Sequence, residues 1–159
     1  MMITYRPANT QDYHEVNKLL SDTQRLHAEM LPMNFEKNAT VLSPTQYQSM
    51  LFYSTNDILV AVYNQEIVGV SVVELMYTPA VNQYPPRYTA YIQYFGVHRD
   101  HRHRGIGKQL FHVSKEWAKQ KGASDLQLTV WSVNNNAVKF YEGVGMHELN
   151  KLMTIPLHE

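Results

Sequence analysis

The feature that most constrains the fold of this chain is a basic turn between a strand and a helix. A predicted strand with several aromatic residues ends at Val97, and a helix with apolar residues at spacings of three and four runs from Gly105 to Gly122. Four cations and two closely spaced glycines lie in or beside the turn: Arg99, Arg102, Arg104, Lys108, Gly105 and Gly107. Because the first amides of a helix are unpaired and carry the positive end of its dipole, the pattern predicts an anion-binding turn.

Glycines without Cβ atoms let the backbone approach a pyrophosphate closely. The turn lacks the Gly-Lys-Ser/Thr of a Walker loop, and it lacks the third glycine and N-terminal strand–helix unit of a dinucleotide fingerprint. The alternative reading is a solvated basic loop before an ordinary helix. His98, His101 and His103 share the turn with the four cations, which favours phosphate contacts or solvent exposure over metal binding. We therefore predict no metal.

Composition restricts the classes of partner. Lys and Arg number 14 and Asp and Glu number 14, so the net charge is zero, which disfavours nucleic acid and makes any anion site local. Cysteine is absent, which excludes disulfides and a cysteine nucleophile and fits a reducing compartment, so we expect a cytoplasmic protein. No leader pattern and no membrane-spanning stretch is evident, and we expect no membrane partner. The 159 residues, 44% of them hydrophobic, predict one domain over residues 1–159.

The order of predicted elements is mixed α and β. A short first strand and two early helices precede a hairpin that turns at Asn64-Gln65. The loop from Thr78 to Pro86 leads to a strand over Tyr88–Val97, the helix after the basic turn, and a strand over Asp125–Trp131. A short helix over Asn134–Glu142 follows. The region from Met146 to Leu157 is predicted to form a final strand or hairpin.

The segment from Asn134 to Met146 is the second informative block. It runs Asn, two residues, Ala137, three residues, Tyr141, and then Gly145-Met146. Together with Arg102-His103-Arg104-Gly105-Ile106-Gly107, which fits an Arg/Gln-x-x-Gly-x-Gly/Ala pattern, it resembles the GNAT N-acetyltransferase superfamily. Met146 stands where that family usually has Phe. The resemblance covers roughly Asn56 to Met153.

The resemblance implies a mixed α+β fold, a three-layer α/β/α sandwich around a mostly antiparallel, splayed sheet of six to seven strands. It implies direct transfer of an acetyl group from acetyl-CoA to a primary amine of a small molecule, peptide or protein. The implied cofactor contacts lie on the fourth strand, on the turn and helix start, and before the last helix: Phe95, Gly96, Val97, Arg102, His103, Arg104, Gly105, Ile106, Gly107, Lys108, Asn134 and Asn136.

The resemblance makes Tyr141 a donor to the thioester sulfur, either as general acid or through a hydrogen bond. Buried packing is its alternative role. Many relatives have a Glu base on the fourth strand, where this chain has Gln93, which cannot accept a proton. Glu74 on the preceding strand is the best substitute. A surface carboxylate is the alternative reading of Glu74, and a water chain or an amine that arrives neutral would also serve.

Two other functions compete with the enzyme. One is a non-catalytic acyl-CoA sensor on the same scaffold, and the other is a generic nucleotide binder for ATP or NAD. The acceptor site is expected between the early helices and the Thr78–Pro86 loop, where tyrosines with Glu29, Glu36 or Glu74 would suit a cationic amine. Polyamine, amino sugar, amino acid and protein amines all stay open. The resemblance allows a homodimer, but the sequence defines no interface.

Overall fold

A single sheet of five strands organises the first part of the chain. In the computed structural model, which describes residues 1–158, the strands are β1 (Thr4–Pro7), β2 (Asn56–Tyr63), β3 (Glu66–Thr78), β4 (Arg87–Val97) and β5 (Asp125–Leu128). They lie in chain order, with β4 and β5 parallel and the other neighbours antiparallel. The mixed α/β class is confirmed. The predicted count of six to seven strands is wrong, because the described residues form five.

Three helices flank this sheet: α1 (Tyr13–Met30), α2 (Pro44–Phe52) and α3 (Ile106–Gln120). Asn9 and Asp12 form a capping box in the short turn that leads into α1, and Ser43 with Gln46 forms another at the start of α2. Pro44 occupies the first turn of α2, where its missing N–H costs nothing. The two early helices predicted from sequence are present.

Alternate residues of β3 face opposite layers. Val70 and Val72 are buried in a cluster with Val16 and Leu20 of α1. Ser71, between them, faces the other way and accepts a 2.8 Å hydrogen bond from Ser114 of α3, with both side chains fully buried. Because successive side chains of a strand point to opposite faces, α1 and α3 cover opposite sides of the sheet. The three-layer arrangement is therefore present within residues 1–129.

Gly96 of β4 lets α1 approach the sheet closely. A Cβ atom on Gly96 would lie 2.7 Å from Oγ1 of Thr23 and 3.9 Å from its Cβ. We expect Gly96→Ala to lower the free energy of unfolding by about 1–3 kcal/mol, the usual cost of overpacking. Adding Thr23→Ala removes the clashing oxygen and leaves ordinary contact, so the double variant should regain most of that loss. Urea unfolding of the wild type, the two single variants and the double variant measures this coupling. If the stability losses of the two single variants simply add in the double variant, the close approach is contradicted.

The chain divides into two units, Met1–Thr129 and Val130–Glu159. The second contains α4 (Asn135–Gly143), whose start is capped by Asn134. Two predictions in this region are wrong. The strand expected over Asp125–Trp131 ends at Leu128, and no strand is assigned in the described residues after α4, although one was expected over Met146–Leu157. A strand needs a paired neighbour, which an alternating pattern alone does not supply. The single-domain organisation stays a prediction.

None of the helices described for residues 1–158 is long and apolar enough to cross a bilayer.

Candidate active site

The pairing of β4 with β5 stops in the middle of β4. The register runs from Thr89 opposite Asp125 to Ile92 opposite Leu128 and ends there. On its other side, β4 stays paired with β3 as far as Val97. Residues 93–97 therefore have a strand neighbour on one edge and, within the described chain, none on the other. We call this one-sided opening the β4–β5 gap.

The register also determines which backbone groups face the gap. The His98 N–H donates to the Val68 carbonyl over 2.8 Å, so this opposite pair is a hydrogen-bonded one. In an antiparallel ladder, hydrogen-bonded pairs alternate with pairs that are not hydrogen-bonded. Gly96 with Val70, two positions further along, is therefore the next hydrogen-bonded pair. The backbone groups of Phe95 and Val97 then point away from β3 into the gap, whereas those of Gly96 are directed at β3.

The start of α3 has no cap. Its N-cap residue, Gly105, has φ +81° and supplies no side-chain acceptor, and the first turn contains no acidic residue. Gln109 donates back to the Gly105 carbonyl, which leaves the amides of Ile106, Gly107 and Lys108 with no acceptor inside the helix. The starts of α2 and α4 are both capped by side chains. An anion at the start of α3 would satisfy donors that have no acceptor within the helix.

The basic side chains of the turn are arranged around this helix start. Nε of Arg102 donates to the Val97 carbonyl over 2.9 Å and ties the turn to the end of β4. Arg99 lies 3.6 Å from Asp100, whereas no carboxylate of the described residues is within ion-pair distance of Arg104 or Lys108. His103 lies in the left-handed region with φ +61°. Arg102, His103, Arg104, Gly105 and Lys108 are exposed, so an incoming anion can reach them.

A carboxylate and an amide meet beside the gap. The register between β3 and β4 shifts at Val72–Val73, whose partners are Tyr94 and Ile92, so Gln93 bulges without an opposite residue. Its Nε2 donates a short hydrogen bond to Glu74. Glu74 is half-buried and lies on the α1 face of β3, two and four residues from Val72 and Val70. The side-chain amide of Gln93, which stands where a Glu base was expected, thus orients the carboxylate of Glu74.

In the second unit, Tyr141 lies on α4, and burial raises the pKa of its phenol to about 12. The phenol is therefore protonated throughout the neutral range. Oδ1 of Asn134 accepts from the Ala137 amide over 3.2 Å, which is its structural role as a cap. Asn136 is exposed on the first turn of α4. Whether these residues contact a cofactor stays a prediction.

The residues the structure describes contain no group of three or more His, Cys, Asp or Glu able to hold an ion, and the absence of a metal stays a prediction. His98 and His101 pack edge to face with ring centroids 5.6 Å apart, and the His98 ring accepts from the Asp100 amide. Their contacts are those of a structured turn.

The comparisons define the class of protein. The model of the Acetyltransferase (GNAT) family matches residues 20–146, and the chain belongs to that family. An uncharacterised N-acetyltransferase of Lactobacillus delbrueckii subsp. lactis is 40% identical over 50 residues, which cover 31% of this chain and 29% of the relative, so the match spans under a third of either protein.

Solved structures agree in fold over nearly the whole chain. A mutant form of the BH1408 protein from Bacillus halodurans has a TM-score of 0.92 and 30% identity, covering 99% of this chain and 100% of that one. The aminoglycoside N-acetyltransferase AAC(6')-Iy in complex with CoA has a TM-score of 0.74 at 15% identity, covering 98% and 94%. At that identity the second likeness concerns the fold alone.

Sequence analysis missed the hydrogen bond between Gln93 and Glu74. The two residues are 19 positions apart, and their contact depends on the β3–β4 register and on the bulge. No local sequence pattern predicts the register or the bulge. The tie between Arg102 and the Val97 carbonyl was missed for a similar reason, since a basic turn by itself does not show which cation folds back onto the strand.

Proposed function

We propose that this chain is an acetyl-CoA-dependent N-acetyltransferase acting on a primary amine. The observation that carries the proposal is the uncapped start of α3, whose first amides have no acceptor inside the helix. It follows directly on the strand whose Phe95 and Val97 backbone groups point away from β3 towards the β4–β5 gap. A ligand with a diphosphate at one end and an amide-containing arm would fit this arrangement.

The residues present fit CoA. The amides of residues 106–108, with Arg104 and Lys108, would bind the pyrophosphate, because helix starts favour anions and these cations have no carboxylate partner in the described chain. Phe95 and Val97 would bind the arm as an added strand does. Bound acetyl-CoA supplies the activated acetyl group. Because acetyl-CoA is an intracellular metabolite, we place the reaction in the cytoplasm.

Two side chains would control the protonation of the amine and stabilise the departing thiolate. Most alkylamines carry a proton at neutral pH, since a lysine-type amine has a pKa of about 10.4. We assign removal of that proton to Glu74, oriented by the Gln93 amide. We assign stabilisation of the departing thiolate to Tyr141. Its pKa of about 12 favours donation of a hydrogen bond over complete transfer of the proton, because a thiol has a pKa of only about 8.5.

The acceptor would approach on the α1 face of the sheet, where Glu74 lies. A cavity of about 410 Å³ lies at the C-terminal end of α1, lined by Ala28, Glu29, Pro32, Phe35, Glu36 and Lys37. The cavity is lined by two carboxylates, Glu29 and Glu36, and by one lysine, Lys37. Burial lowers the pKa of the neighbouring His27, whose ring lies 5.2 Å from that of Phe35, so this histidine adds no charge at neutral pH. These features support a cationic amine as acceptor.

Release of free thiol from acetyl-CoA across a panel of polyamines, amino sugars, amino acids and peptides tests the activity. Turnover with at least one amine class is the expected result. Calorimetry with acetyl-CoA separates the alternatives: binding without turnover would identify a sensor, and the absence of binding would overturn the proposal.

Two glycines with the same conformation allow a controlled test of the anion site. Gly105 and Gly122 have φ +81° and +79°, and a Cβ on either meets no atom within 4 Å. Valine at either position should cost a similar amount of stability, about 1–2 kcal/mol, from left-handed strain. Only Gly105→Val should weaken the binding of acetyl-CoA, by about tenfold or more, because the valine side chain blocks the approach of the diphosphate. Equal affinities in the two variants, measured by calorimetry, would contradict the assignment of the turn.

A further inference from the structure

A hydrogen bond between two side chains fastens the end of β5 to β4. The register places Tyr91 opposite Gln127, and the ladder ends one position later, at Ile92 and Leu128. Thr129 is the first residue beyond β5. Its hydroxyl oxygen lies 2.6 Å from that of Tyr91, so the two hydroxyls share a hydrogen bond that either of them can donate. This bond lies at the point where the β4–β5 gap begins.

A second side-chain bond fastens the other end of the same two strands. Oγ1 of Thr89 donates to Oδ1 of Asp125 over 2.8 Å, at the first position of the register. Because Thr89 and Tyr91 are two positions apart on β4, both bonds lie on the same face of the sheet. Thr89 is buried, whereas Thr129 is exposed. The start of the strand pair is thus held within the packed sheet, and its end is held at the surface.

The backbone alone holds the end of β5 weakly. The strand has four residues, Asp125–Leu128, and all of them pair with β4 in parallel. A parallel ladder is slightly less stable per residue than an antiparallel one, and the ends of strands open most easily. Within the described chain, no register pair with β4 follows Leu128. The hydroxyl of Tyr91 therefore holds Thr129 beside β4 after the backbone ladder has ended.

We propose that Tyr91 and Thr129 are positioning residues for acetyl-CoA, because their hydrogen bond fixes the point at which the β4–β5 gap opens. This inference rests on the proposed function, in which the cofactor arm binds along Phe95 and Val97. With the bond in place, the gap is formed before the arm enters. Without it, the end of β5 takes up several positions, and binding has to order that end at a cost in conformational entropy. The two hydroxyls orient the end of a strand and have no part in the chemical step.

Tyr91→Phe and Thr129→Val each remove one of the two hydroxyls and nearly preserve the size of the side chain. We expect each variant to bind acetyl-CoA about three- to tenfold more weakly in calorimetry, the effect of losing one neutral hydrogen bond. The KM for acetyl-CoA should rise, and kcat should stay within about twofold of wild type. Because both changes remove the same bond, the double variant should bind no more weakly than either single variant.

Thr89→Val is the matched control, since it removes the side-chain bond at the start of the same strand pair. Thr89 is buried, so this variant should unfold at a lower urea concentration than wild type, yet its affinity for acetyl-CoA should stay within about twofold. The bond between Tyr91 and Thr129 is exposed, so Tyr91→Phe should unfold at nearly the wild-type concentration. A purely structural role for Tyr91 would lower stability without a separate loss of affinity.

Amide hydrogen exchange of the ligand-free protein tests the fastening without any cofactor. Amides of residues 126–129 should exchange faster in Tyr91→Phe than in wild type, while those of β3 keep their protection. Unchanged exchange, wild-type affinity in both variants, or a loss of affinity confined to Tyr91→Phe would overturn the positioning role and leave the proposed function standing. A wild-type protein that binds no acetyl-CoA would overturn the proposed function, and the positioning role with it.

Discussion

Tyr141→Phe is expected to lower kcat about 10²–10³-fold while leaving the KM for acetyl-CoA nearly unchanged. Removal of a donor that stabilises charge developing in the transition state typically has an effect of this size. Burial raises the pKa of Tyr141 to about 12, so the phenol stays protonated throughout the neutral range. Loss of the hydroxyl should therefore reduce kcat/KM by the same factor at every pH. The apparent pKa values of the pH profile should not change.

Tyr47 provides a matched control for that experiment. Burial raises its pKa to about 12 as well, but its hydroxyl donates to the Asn9 carbonyl over 2.6 Å, within the core beneath α1 and α2. Tyr47→Phe should cost about 1 kcal/mol of stability and leave kcat unchanged. If Tyr141→Phe keeps kcat within about twofold of wild type at saturating substrate, Tyr141 has no part in the reaction. If it instead removes an alkaline limb, proton transfer replaces hydrogen bonding as its role.

The helix starts show what sequence alone can predict about this site. Asn9, Ser43 and Asn134 are local caps, and each could be identified from the residues that follow it. The uncapped start of α3 could be identified in the same way, because a glycine stands where an acceptor is usual. Local chemistry thus predicted the anion site, whereas the family was inferred from the resemblance of two motifs, and the family comparison confirmed that inference.

What sequence could not predict depends on pairing between distant residues. The length of β5 is set by where β4 stops bonding to it, at Ile92 and Leu128, and the alternation of apolar residues continues past that point. The position of Gln93 in a bulge is set by the β3–β4 register. The pattern that predicted a final strand after Met146 contains no information on a paired neighbour, and the structure assigns no strand to the described residues there.

Glu74→Gln is expected to lower kcat/KM about a hundredfold at pH 7, and the deficit should shrink as pH rises. At neutral pH nearly all of a lysine-type amine, pKa about 10.4, is protonated, so a base must remove the proton. Towards pH 9.5 a growing fraction of the amine arrives neutral, and the need for a base decreases. A carboxylate that merely supported the fold would lower kcat/KM equally at both pH values. Measurement of kcat/KM at pH 7 and pH 9.5 therefore separates a base from a structural residue.

Gln93→Met extends the same test to the amide that orients the carboxylate. It preserves side-chain length but removes the hydrogen bond to Glu74, so we expect a loss of about five- to tenfold. Because Gln93 acts only through Glu74 in this arrangement, the double variant should be no slower than Glu74→Gln alone. A further loss in the double variant would mean that Gln93 contacts a substrate directly. Equal activity of Gln93→Met and wild type would show that the bulge alone places the carboxylate.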